Sequence, residues 1–196
     1  PTWVLNGRKR ELVNWRFNGW AKYKNHQQDE KIGRVIEKIT GQARFEPTRP
    51  DGKTRVVLEG GAIETDGEGT MLTTEECLLS KIQERNPGMT REDYEAVFRE
   101  WLGIRRMIWL GEGCVGDDTH GHVDDVARFV TPDIVLLAYE PDPGDDNHER
   151  SADNLRRLEL AGGDRSFRVV KLPFPRPVIM QGERLPASYA NFYIAN

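Results

Sequence analysis

The chain has 196 residues, with 28 Lys and Arg against 32 Asp and Glu, a formal net charge of −4, 37% hydrophobic and 31% charged residues. It is too apolar for a disordered chain and long enough to bury a real core, and its acidic balance argues against a dedicated nucleic-acid binder, which carries a basic face. No run approaches the ~18 apolar residues of a membrane span, no signal peptide opens the chain, and two cysteines, Cys77 and Cys114, make no disulfide framework, so a cytoplasmic globular protein without nucleic-acid or membrane partners is expected.

In chain order, Trp3–Leu5 and Glu11–Phe17 read as strands around the Asn6-Gly7 turn signal. Ile32, Val35, Ile36 and Ile39 recur at helical spacing within Gln28–Ile39. A strand follows at Ala43–Phe45, and Pro47, Pro50 and Asp51-Gly52 close the segment. Arg55–Glu59 is a short β-branched run stopped by Gly60-Gly61. Ala62–Asp66 and Thr70–Thr73 flank Gly67-Glu68-Gly69 as a hairpin, and Thr74 opens a polar-capped helical turn. Thr90-Arg91-Glu92-Asp93 is a capping-box pattern that predicts a helix to Leu102, ended by Gly103.

Arg106–Leu110 then reads as a strand and Gly111–Gly121 as a polar loop. Val126–Val130 and Ile134–Tyr139 form a second hairpin, Pro141–Asp146 a loop, and Asn147–Leu160 a helix with Leu155 and Leu158 inward, ended by Gly162-Gly163. Phe167–Leu172 is a strand. The order hairpin, helix, strand therefore occurs twice, roughly 60 residues apart, and the opening elements supply a third copy; such spacing suggests a propeller or array. No linker marks an internal boundary. The chain opens inside an apolar run and closes on an aromatic, strand-like run, Tyr189–Asn196. Natural ends are commonly polar, so both read as boundaries within a longer protein.

The densest polar cluster is Gly116–Asp125, with two of the four histidines and four carboxylates. His122 and Asp124 stand two apart, so on an extended segment both side chains leave one face. A carboxylate beside an imidazole can bind a cation jointly with it, and the imidazole can move a proton near neutral pH. Spacing alone leaves open that the histidines merely cap the loop. His120-x-His122-x-Asp124 is also similar to the metallo-β-lactamase motif, but Asp125 replaces its next histidine. Only His26 and His148 remain as further histidine ligands, so no metal is expected. Glu59, before Gly60-Gly61, is a candidate site acid at a strand end where the backbone can approach closely, or a solvated carboxylate. Trp15, Phe17, Trp20 and Tyr23 could stack on a planar cation or pack as core. Cys77 falls on a buried-looking helix position. Cys114 has Glu112, Asp117 and Asp118 nearby in sequence, which works against a thiolate.

Several segments together resemble the agmatine deiminase family, also called the Porphyromonas-type peptidylarginine deiminase family. They are Leu58–Thr70, Glu84-Arg85-Asn86-Pro87, Asp117–Phe129, Trp15–Tyr23 and Pro186–Asn196, in the family's order and over nearly the whole chain. The resemblance implies an α/β fold, the pentein-type propeller of five ββαβ modules, of which residues 1–196 would be about three, the central part of a single catalytic domain. It implies a hydrolase of polyamine metabolism that converts agmatine to N-carbamoylputrescine and ammonia through a cysteine thiouronium intermediate, without a cofactor. The partner would be a small cationic guanidine, with a homo-oligomer left open.

By the same resemblance His122 matches the general acid/base, Asp124 a guanidinium-binding acid, and Glu59 the acid of the Glu-Gly-Gly motif. Asp118 and Trp20 fall in motifs that line the substrate pocket. The family's Arg-Asp-x-Gly-Pro-Thr acid would fall just before Pro1, and its Gly-rich His-Cys nucleophile after Asn196, so this chain alone is expected to be inactive. Peptidylarginine or arginine-like substrates, a non-catalytic guanidinium-binding protein, and, more remotely, a His/Asp metallohydrolase remain as alternatives.

Overall fold

A computed structural model of the chain describes residues 1–162 and 167–194. Its elements fall into three repeats of one plan. In the first, β1 (Thr2–Asn6) and β2 (Lys9–Val13) form an antiparallel hairpin, α1 (Ile32–Thr40) follows, and β3 (Arg44–Phe45) returns parallel to β2. In the second, β4 (Glu64–Thr65) and β5 (Thr70–Thr74) pair antiparallel, α2 (Glu75–Leu79) and α3 (Arg91–Leu102) follow, and β6 (Arg106–Leu110) pairs parallel with β5. In the third, β7 (Ala127–Thr131) and β8 (Ile134–Tyr139) form the hairpin, α4 (Asn147–Leu160) follows, and β9 (Arg168–Pro173) lies parallel to β8. A tight turn suffices for the antiparallel step, whereas the parallel return needs a crossover, which the helical segment supplies each time. The repeated order expected from the sequence is thus present as three three-stranded sheets. Gly163, expected to help end α4, lies outside the described residues, as do Ala195 and Asn196 of the closing run.

The chain divides into two compact units, Pro1–Gly60 with Lys81–Arg105, and Gly61–Ser80 with Arg106–Asn196. The first buries Leu12, Val13, Trp15, Val56, Val57, Tyr94, Val97 and Phe98, with Trp15 and Phe98 meeting edge-to-face at 6.1 Å. The core of the second is built from Leu72, Ile108, Leu110, Val123, Val126, Phe129, Val135, Leu137 and Leu158. Leu158 is buried and Leu155 packs partly against that core, as the helical periodicity predicts. Asn154, also buried, accepts from the Gly111 amide at 2.8 Å and donates to the Glu112 carbonyl at 2.8 Å. That ties α4 to the end of β6.

Four expectations are corrected. Arg55–Glu59 is not a strand: it makes only the isolated bridges Arg16–Val57 and Thr48–Arg55. The Asn86 side chain takes a neighbouring strand's place, accepting from the Val57 amide at 2.9 Å and donating to its carbonyl at 2.8 Å. The strand expected over Glu11–Phe17 stops at Val13. Helix Gln28–Ile39 begins as a 3-10 turn, Asp29–Lys31, before α1, and its apolar stripe at Ile32, Val35 and Ile39 is exposed. The described part of the aromatic closing run forms no strand. A short hairpin of β10 (Ile179–Met180) and β11 (Glu183–Arg184) precedes it, turning through Gln181 and Gly182, both at positive φ, as a two-residue hairpin turn requires.

Candidate active site

The second unit brings His122 and Asp124 together. His122 ends the loop after β6 and is buried. A 3-10 turn, Val123–Asp125, begins directly after it, so the segment is not extended as the two-residue spacing suggested. Both side chains nevertheless reach the same neighbour, Gly61. A Cβ on Gly61 would lie 2.4 Å from His122 Nδ1 and 2.9 Å from each Asp124 carboxylate oxygen. The imidazole and the carboxylate therefore share one space against a bare Cα, and glycine is needed there for room.

The loop is held by Asp117. Its Oδ1 accepts from the Thr119 amide at 2.8 Å and hydroxyl at 2.6 Å, and its Oδ2 from the Gly121 and His122 amides, both at 2.9 Å. The Thr74 hydroxyl donates to the Gly121 carbonyl, tying the loop to the end of β5. Gly121 is at φ +84°, and a Cβ there would meet Glu76 at 2.8 Å. Asp118, singled out from the sequence, is exposed, whereas its neighbour Asp117 organises the loop.

Burial raises the Asp124 carboxyl above the ordinary carboxylate range; His122 and Arg128 pull it back down, and Asp117 pushes it up. Its Oδ1 is buried and has no hydrogen-bond partner among the described residues. Asp125 beside it is pushed up to about 6, chiefly by burial, against the hydrogen bond from Asn191. Glu64 is raised as well, first by burial, with Arg128 opposing. Arg128 pairs with Glu64 at 3.0 Å, while Glu64 Oε1 accepts from the Phe129 amide at 3.0 Å. Carboxylates thus outnumber cations here in partly buried surroundings, an arrangement that draws in a cation.

In the first unit Glu59 is buried and faces Arg85, whose side chain is fully enclosed; Arg85 Nε lies 3.3 and 3.5 Å from the two Glu59 oxygens. Arg85 also donates to the Gln83 carbonyl at 3.1 Å, and Gln83 Nε2 donates to the Trp20 carbonyl at 3.1 Å. The segment Gln83–Arg85 therefore connects Glu59 with Trp20. Trp20 is half-buried at φ +57°, edge-on to Phe17 at 5.1 Å and to Tyr23 at 6.0 Å. The sequence singles out the Glu84–Pro87 motif without a role for Arg85. An arginine 26 residues from its acid leaves no spacing signal.

His120, the other half of the His-x-His pattern, has different partners from His122. Its Nε2 is 3.0 Å from the Ser80 hydroxyl and its Nδ1 3.8 Å from Glu76. The two imidazoles are not engaged by a common ligand set in these contacts. Both cysteines are buried. The Cys114 thiol is pushed up to about 12, first by burial and then by Asp125, in line with the acidic surroundings read from the sequence. The Cys77 amide caps onto Thr74 at 3.0 Å.

Three ββαβ modules, with a buried imidazole and a half-buried carboxylate packed on a glycine between the second and the third, define a modular α/β protein. The chain belongs to the Porphyromonas-type peptidyl-arginine deiminase family, which matches it over residues 1–196. It is 40% identical to an agmatine deiminase of Ectopseudomonas mendocina over 222 aligned residues, which take in all of this chain and 58% of that protein. An agmatine deiminase of Pseudomonas fluorescens is 39% identical with the same coverage. Among solved structures, a cysteine-to-serine variant of C. jejuni agmatine deiminase with substrate bound is 28% identical at TM-score 0.83, over 96% of this chain and 53% of that one. The agmatine deiminase of Enterococcus faecalis is 32% identical at TM-score 0.82, over 96% and 56%. These likenesses and the three modules give the chain the pentein-type α/β fold. The chain spans about 58% of the length of the curated relatives it matches.

Proposed function

We propose that the whole protein is a guanidine deiminase that hydrolyses agmatine to N-carbamoylputrescine and ammonia, and that residues 1–196 are part of its single catalytic domain. The observation that carries this is the buried Asp124 Oδ1, left without a partner beside His122 and walled by Gly61. A buried carboxylate oxygen without a donor is costly, and a guanidinium N–H would satisfy it with a charge-assisted bond. Family membership and the agmatine deiminase relatives support the same reading.

In the proposed reaction Asp124 binds the guanidinium, Glu59 serves as the catalytic acid of the Glu-Gly-Gly motif, and Asp118 and Trp20 are assigned to substrate binding. A cysteine thiolate attacks the guanidinium carbon. The C–N bond to one terminal nitrogen breaks, His122 giving that nitrogen the proton with which it leaves as ammonia. Water, deprotonated by His122, then attacks the thiouronium carbon. The C–S bond breaks as the new hydroxyl loses its remaining proton to solvent, releasing the ureido product and the thiolate. The Cys114 thiol, pushed up to about 12, does not suit the attack, and the family resemblance puts the nucleophile in a Gly-rich His-Cys motif that neither cysteine matches, so the reading assigns it to residues outside 1–196. The distal amine of agmatine suits the carboxylate excess better than the carboxylate or backbone of an arginine substrate. No helix among the described residues is long and apolar enough to cross a membrane, and a cytoplasmic setting is part of the proposal.

The test is formation of ammonia and ureido product by the full-length protein from agmatine, free arginine and an arginyl peptide in parallel. Turnover of agmatine above the other two, falling at least a hundredfold in His122→Ala, is expected. Turnover of none, or an indifferent His122→Ala variant, overturns the reading.

A further inference from the structure

The segment that follows β11 returns to the acid pair. The Ser188 hydroxyl donates to the Asp125 carbonyl at 2.6 Å and accepts from the Ala190 amide at 3.0 Å, and Ala190 is fully buried. Asn191 Nδ2 then lies 3.2 Å from Asp125 Oδ1 and 3.5 Å from Asp124 Oδ2. On the other side, one Arg128 nitrogen donates to the carbonyls of Ala190 at 3.2 Å and Phe192 at 2.6 Å, and the guanidinium stands 5.0 Å over the Phe192 ring. Its Nε meets Glu64 at 3.0 Å, which fixes the arginine from β4. Asn191 is thus gripped between two residues that Arg128 holds by their backbone.

We propose that Arg128 and Asn191 form one latch for substrate binding: Arg128 clamps residues 190–192, so that the Asn191 amide holds Asp125 and the Oδ2 side of Asp124, leaving Asp124 Oδ1 open to the guanidinium. Both are positioning residues, acting through Asp124, and the inference rests on the guanidine-deiminase reading above. The groups facing Asp124 within its unit are His122, Asp117, Asp125, Glu64 and Arg128, of which three are acids. A neutral donor is therefore the suitable partner for its second oxygen: another acid would repel it, and a cation would compete with the substrate.

The guanidinium spans two places at once, Glu64 through Nε and the two carbonyls through one terminal nitrogen; a lysine ammonium is a single point that cannot hold both, so Arg128→Lys retains the charge and loses the carbonyl grip. Asn191 is exposed, so Asn191→Ala leaves the fold intact. In the full-length protein each variant is expected to raise KM for agmatine about tenfold with kcat within about twofold, the pattern of lost uniform binding. Because the two act in series, the double variant is expected to be no worse than either single one. Hydrogen exchange at the Ala190 and Phe192 amides is expected to quicken at least tenfold in Arg128→Lys, whatever the activity. Unchanged KM in an active enzyme, independent multiplicative losses, or unchanged exchange in Arg128→Lys each overturn the latch. A wild-type protein that turns over no guanidine overturns the proposed function instead, and the exchange comparison still decides the clamp.

Discussion

Gly61 is the residue on which the candidate site turns, because its missing side chain is what lets His122 and Asp124 lie against the backbone. Gly61→Ala would force a Cβ to within 2.4 Å of the imidazole and 2.9 Å of the carboxylate, so one or both must move. Displacements of about an ångström cost roughly a hundredfold in rate. A loss of that size in kcat/KM of the full-length protein, with far-UV dichroism unchanged, is the expected result. Asp125 makes a different prediction. Folded, it titrates near 6, against roughly 4 for an ordinary aspartate. Between about pH 4 and pH 6 the folded state therefore holds a proton that the unfolded chain has released, and stability falls as pH rises through that window. Asp124 and Glu64 are shifted the same way. Asp125→Asn should make the decline of Tm from pH 4 to pH 6 shallower than in the wild type; equal slopes would contradict the assignment. His122, Asp124 and Glu59 can be singled out from the sequence because each stands in a segment that resembles a family motif. The part Asp117 plays in holding the loop has no sequence signal, since the amides that a loop acid accepts from are set by the fold.

The elements divide by how local their causes are. The ends of α3 are written in the sequence: Thr90 accepts from the Asp93 amide at 3.2 Å, Asp93 accepts from the Thr90 amide at 2.9 Å, and Gly103 closes the helix in the left-handed region at φ +68°. Thr90→Ala should cost about 1 kcal/mol, read as a shift in the denaturation midpoint, and Thr90→Ser should recover most of it. The hairpins of β4–β5 and β7–β8 were equally legible, as glycine or proline turns between apolar runs. Arg55–Glu59 was misread because its composition is that of a strand, yet the groups that satisfy Val57 belong to the side chain of Asn86, 29 residues away. α1 was found, but its apolar periodicity does not say which face is covered. Gly33 is the residue it buries, close to Asn14.

At the scale of the whole molecule, the repeat of hairpin, helix and parallel strand is the property that element order alone could reveal, since residue identity between the copies is negligible. The proposed chemistry needs more than these modules. A protein comprising only residues 1–196 should form no ureido product from agmatine, because the proposed reading places the nucleophile outside it and the Cys114 thiol is pushed up to about 12. Turnover by it that is abolished in Cys114→Ala would reverse that conclusion and return the nucleophile to this chain.

By itself the sequence determined the local geometry and the family. Helix caps, turn glycines and the two-residue and helical periodicities depend on contacts within a few positions, and the motifs keep their order whatever surrounds them. Only the tertiary structure decided which acids matter to one another. That Asp117 builds the loop, that Arg85 faces Glu59 and ties it toward Trp20 through Gln83, and that Arg128 and Asn191 reach the His122–Asp124 pair all depend on side chains brought together from distant positions. A carboxylate's charge and hydrogen bonding are set by its burial and its neighbours in space, and neither is a property of its place in the chain.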